Sequence, residues 1–141
     1  MYTRYITNSS LLIGELRENQ SSISMLEQIL FEDKTFTAKV EQLYANTLIN
    51  RPMPKEIVNI LTHEDKLSIL ELKKKAIRFL FFIDDNGINI MNHLANRAIV
   101  FLSFFKKKTA KTPKLELSKA IQQRVLYMTS KANNKLKVEV I

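Results

Sequence analysis

The stretch FFKKKTAKTPK, Phe104 to Lys114, carries Lys106, Lys107, Lys108, Lys111 and Lys114 and no acid. Ammonium groups at this density suit one kind of chemistry: they neutralise phosphates and release the counterions condensed on a nucleic acid. The chain has a net charge of +8, and that charge is unevenly placed. Residues 1–105 hold 12 Lys/Arg and 12 Asp/Glu, whereas residues 106–141 hold 10 Lys/Arg against only Glu116 and Glu139. A solvated face would explain one lysine triplet. A surplus sustained over a helix and its flanks points to an acidic partner, because unbalanced charge repels itself.

Other chemistries find little support. With no cysteine there is no disulfide, thiolate metal site or thiol nucleophile. His63 and His93 are the only histidines, and neither has a metal-ligand spacing. No Gly-rich phosphate loop or nucleophile elbow occurs. Glu64-Asp65 and Asp84-Asp85 fall at expected helix ends, where capping and turns account for them. Asp84-Asp85-Asn86-Gly87 fails as a calcium loop because Phe82 occupies the first ligand position. No enzyme, metal or cofactor is expected. The apolar runs Ile77 to Ile83 and Leu94 to Phe105 fall short of the roughly 20 residues a membrane span needs. No long apolar core follows Met1-Tyr-Thr-Arg, so no signal peptide is expected, and a cytoplasmic protein is.

The elements that must position the lysines read mainly as helices. The 141 residues hold 45% apolar residues, two glycines and three prolines, enough for a core and too few turn residues for an all-β sandwich. Met1 to Thr7 favours a strand, and Ser9 or Ser10 caps a short helix to about Asn19. Ser21 or Ser22 then caps a helix bearing Ile23, Leu26, Ile29 and Leu30. After a break at Asp33-Lys34, Phe36, Val40, Leu43 and Tyr44 line one face of a helix over 36–49. The pair has a helix-turn-helix shape, and Lys39, Gln42 and Asn46, with Arg51 beyond, suit base edges or phosphates.

Pro52 and Pro54 stop that helix and start another through Leu61. A long helix to about Ile83 would bury Leu67, Leu70, Ile77, Leu80 and Phe81, with Lys73-Lys74-Lys75 wrapped around it. Gly87 would cap its end, and a core helix would run from about Asn89 to Phe105. Thr112-Pro113 launches a basic helix over 115–132, with Leu117, Ile121, Val125 and Met128 inward and Lys119, Gln123, Arg124 and Lys131 beside that stripe. Lys135 to Ile141 alternates like a strand, and Met1 to Ile6 is its candidate partner. The expected fold is therefore a mainly all-α helical bundle, with helix-turn-helix and winged-helix-like parts and a short strand at one or both ends. Residues 1–62 are expected to form an N-terminal lobe and 63–141 the core helices and a basic C-terminal lobe, either as two lobes or as one compact domain.

The order of segments resembles the BrxA family of BREX phage-defence systems. Tyr2 to Arg17, Thr37-Ala-Lys-Val40, Leu48 to Arg51, Pro54 to Leu61 and Ile69 to Ile83 carry the likeness, and the basic segment Phe104 to Leu136 is similar to that family's C-terminal lobe. The resemblance implies an all-helical, partly NusB-like or winged-helix protein that binds duplex DNA and serves the defence system with its other proteins. On this reading Lys106, Lys107, Lys108, Lys111 and Lys114 grip phosphates, and helices 36–49 and 115–132 face a groove. The alternatives are NusB-like RNA binding and a helical adaptor for an acidic protein. The lack of tryptophan, and of an evident aromatic platform, counts against stacking on single strands.

Overall fold

The computed structural model describes residues 2–8, 11–17, 28–29, 32–48, 58–60, 69–85, 88–90, 93–95, 97–108, 113–133 and 137–140. In chain order these form strands β1 (Tyr2–Asn8) and β2 (Leu11–Arg17), helix α1 (Lys34–Leu48), and strands β3 (Val58–Ile60), β4 (Leu70–Lys74) and β5 (Ile77–Asp84). They continue with β6 (Ile88–Ile90), β7 (His93–Ala95), β8 (Ala98–Lys106), helix α2 (Lys114–Ala132) and β9 (Lys137–Val140). Seven strands make one sheet in the order β3-β4-β5-β8-β2-β1-β9, and β6 pairs with β7 apart from it. The fold is mixed α/β. The mainly all-α expectation is wrong.

The error has a physical cause. Strands buried on both faces are apolar on both faces, so their sequence loses the alternation of a half-exposed strand and passes for a buried helix. In β5, Phe79, Leu80, Phe81 and Phe82 are all buried. In β8, Ala98 to Leu102 are buried without a break. The expected long helix to Ile83 is thus the antiparallel hairpin β4–β5, with Leu72 opposite Phe79 and Lys74 opposite Ile77. The expected core helix from Asn89 to Phe105 is β6, β7 and β8. The expected helix from Ser9 or Ser10 to Asn19 is largely β2, and part of the one ending at Leu61 is β3.

The hairpin turn gave no warning because it holds Lys75 at φ 52. That left-handed region normally calls for glycine or asparagine. The Arg78 guanidinium donates to the Lys75 carbonyl and braces the turn.

Helices 34–48 and 114–132 lie close to their expected ranges. Phe36, Val40 and Leu43 of α1 are buried, at the spacing of one helical face. The α1 ring Phe36 packs 5.1 Å from Phe79, while the α2 ring Tyr127 packs 5.5 Å from Phe82. Residues three apart on a strand point to opposite faces. The helices therefore cover opposite faces of the sheet, making three layers. On α2 the inward stripe is rotated from expectation: Val125 is exposed, and Ala120 and Tyr127 are the buried residues.

A bulge interrupts β5–β8. Leu80 pairs with Ser103 but Phe81 with Phe101, leaving Leu102 as the extra residue. It brings Phe101 and Phe104 to one face, where both rings meet Phe79. At the ends of the described chain β9 lies parallel to β1, Tyr2 opposite Lys137. The expected Gly87 cap lies outside the described residues, as does most of the helix from Ser21 or Ser22, the first half of the helix-turn-helix, of which Gln28 and Ile29 are described and helical.

Asp33 caps α1. Its Oδ1 accepts from the Phe36 amide at 3.0 Å, and its Oδ2 takes the Lys74 ammonium of β4. The Lys74 ammonium, and after it the Phe36 amide, holds the Asp33 carboxyl below its ordinary range. A depressed carboxylate contributes stability above its unfolded pKa of about 3.9 and loses it as pH falls through the lowered value. Thermal unfolding should therefore show Lys74→Ala less stable than the parent near pH 7, with the gap closing in acid as pH falls through the lowered pKa. A gap of constant size across that range would show that the pair does not titrate this way.

Candidate nucleic-acid interface

The sheet gathers cations that lie thirty residues apart in sequence. Lys106 of β8 sits opposite Ile77, and Ile77 sits opposite Lys74 of β4, so the three form a row across adjacent strands. Strands lie about 4.8 Å apart, which places the Lys74 and Lys106 backbones roughly 10 Å from each other. One step further out, the Lys107 amide donates to the Ala76 carbonyl at 2.7 Å. The end of β8 is thereby fastened to the β4–β5 turn. Lys73-Lys74-Lys75 and Lys106-Lys107-Lys108 thus meet at one end of the sheet, their side chains alternating between its two faces.

Its electrostatics are one-sided. Lys75, Lys106 and Lys108 are exposed, and Lys73 and Lys107 are half-buried. The carboxylates on the adjoining strand and cap are already engaged: Asp33 holds Lys74, and Glu71, fully buried, lies 3.7 Å from Arg78 Nε. Neither cancels the outer lysines. Only the second triplet stood out in the sequence. The first sits in a stretch whose apolar spacing fits a helix, although Leu70-Glu71-Leu72-Lys73 before the turn alternates apolar and charged.

The remaining expected site residues divide by layer. Lys39, Gln42 and Asn46 are on α1, with Gln42 exposed and the other two half-buried. Lys114 and Lys119 are exposed on α2. Because the helices lie on opposite faces, α1 and α2 do not share one groove-facing surface. Arg51 and Lys111 lie outside the described residues.

Three further expected contacts turn inward. Arg124 stacks over Phe82 at 4.8 Å; burial pushes its pKa down, opposed by Asp84 and Asp85. Lys131 donates to Asp84 Oδ2 at 2.8 Å, and the Tyr127 hydroxyl donates to the same oxygen at 2.8 Å. Gln123 is half-buried, its Oε1 shielded from solvent and accepting no hydrogen bond from the described residues. These side chains dock α2 on the sheet. The acid that organises them, Asp84, was legible only as a helix-end residue.

Among the described residues no three His, Cys, Asp or Glu side chains converge as metal ligands. No helix among them is long and apolar enough to cross a membrane. Comparison with known proteins returns no neighbour: no family model, curated protein or solved structure matches the chain.

Proposed function

We propose that the chain is a non-enzymatic nucleic-acid-binding protein that grips phosphates with the lysine-rich end of its sheet. One observation carries this reading: the Lys107–Ala76 hydrogen bond brings two lysine triplets together at one end of the sheet. Such a basic end supplies affinity and orientation without reading sequence. Duplex DNA, in an accessory role beside other phage-defence proteins, is the form and setting that the BrxA resemblance implies.

A gel shift with duplex DNA, single-stranded DNA and RNA at two salt concentrations tests it. Binding should weaken steeply with salt, by a log–log slope of about −0.9 per phosphate contact on duplex DNA. The second reading is an adaptor that docks a protein partner, favoured by Leu115, Val125 and Leu126, which stand out from α2 at 66%, 51% and 48% exposure. Failure to shift any of the three nucleic acids at low salt would leave the adaptor.

A further inference from the structure

Most of the large apolar residues of β5 and β8 are buried or half-buried. Among the described apolar residues of these strands Phe104 alone is exposed, at 42%. The β5–β8 bulge sets it on the face of Phe79 and Phe101, and its ring lies 6.0 Å from Phe79 at a 42° tilt. Phe79 is itself packed against Phe36 and Phe101. An inner layer of rings therefore supports the outer one. Lys106 follows two residues along β8 on the same face, opposite Ile77, and Lys108 is exposed just past the strand's end.

A half-exposed ring, backed by buried aromatics and bordered by ammonium groups, offers the two contacts that an unpaired nucleotide needs. The flat face stacks on a base, and the cations take the flanking phosphates. A duplex cannot use the ring, because its bases are already stacked on each other. We infer that Phe104 is a stacking residue for an unpaired base, so that the basic end of the sheet prefers single-stranded segments of nucleic acid over duplex. This rests on the nucleic-acid reading above and adds the form of strand to it. Charge alone would give no such preference, since every form presents phosphates.

The test measures fluorescence anisotropy with a labelled oligothymidylate and a duplex of equal length. It compares the parent chain with Phe104→Ala, Phe104→Leu, Phe104→Tyr and the exposed-lysine variant Lys106→Ala/Lys108→Ala. Losing one stacked base should weaken oligothymidylate binding by about five- to a hundredfold in Phe104→Ala. Duplex affinity and both salt slopes should stay unchanged. Phe104→Leu, which keeps an apolar side chain and preserves the fold, should lose as much as alanine. Phe104→Tyr should bind like the parent.

Equal loss on both probes, or full affinity in Phe104→Leu, would overturn the stacking role. The nucleic-acid reading would survive if the lysine variant still weakened both probes. If the parent chain binds neither probe at low salt, both readings fall together.

Discussion

Replacing Lys75 with glycine and Lys106 and Lys108 with alanine should lower nucleic-acid affinity by roughly two to three orders of magnitude at about 0.1 M salt. The figure follows from counterion release. Each phosphate contact on B-DNA sets free about 0.9 ion, so three lost contacts flatten the log–log slope by about 2.7. The three lysines are exposed, and glycine accepts the backbone conformation at position 75, so the fold should persist. Lys75 belongs to the β4–β5 turn and the other two to the end of β8. Reverting either group alone should restore only its own share of the slope. Lys119→Ala, on a helix face away from this row, should change binding far less. Unchanged affinity and slope in the triple variant would show the lysines to be solvated surface, and the adaptor reading would lead.

The second large effect is on stability. Asp84→Ala should lower the free energy of unfolding by about 3 kcal/mol, measured by urea denaturation. Asp84 is 1% exposed, and its Oδ2 accepts from both Tyr127 and Lys131. Removing it takes a carboxylate acceptor from a buried hydroxyl and obliges a cation to turn to solvent. The expected loss is a large fraction of the roughly 5–15 kcal/mol that holds a domain together. Asp84→Asn keeps an acceptor for the tyrosine and should cost less. A loss below about 1 kcal/mol in Asp84→Ala would mean that apolar packing alone docks α2.

The helices at 34–48 and 114–132 were legible because each has one wet face, so Phe36, Val40 and Leu43 recur with the helical period. The strands Tyr2–Asn8 and Lys137–Val140 lie where composition and alternation suggested strands. The centre was not legible, for the opposite reason. Phe79 to Phe82 have a helix layer on either side, and a chain with no wet face carries no period to read. The turn between β4 and β5 compounded this by using lysine where glycine would have marked a hairpin. The candidate site inherited the error. The triplet at Lys106 was visible as a charge run, but its neighbour at Lys73 came into view only once a strand replaced the helix. Phe104 was hidden further, because its exposure depends on the bulge at Leu102.

The strand order also governs how the chain can fold. The β4–β5 hairpin joins neighbours in sequence and can form early, and β8 can then add to it. On its other edge β8 must wait for β2, pairing Ile99 with Ile13 across most of the chain's length. Closing so long a loop comes before any contact rewards it, and such high contact order slows folding. Until β2 docks, the edge of β8 at Ala98 to Phe101 stays open, an apolar template for strands of other molecules. Refolding yield should therefore depend on protein concentration, with aggregation competing at this one seam.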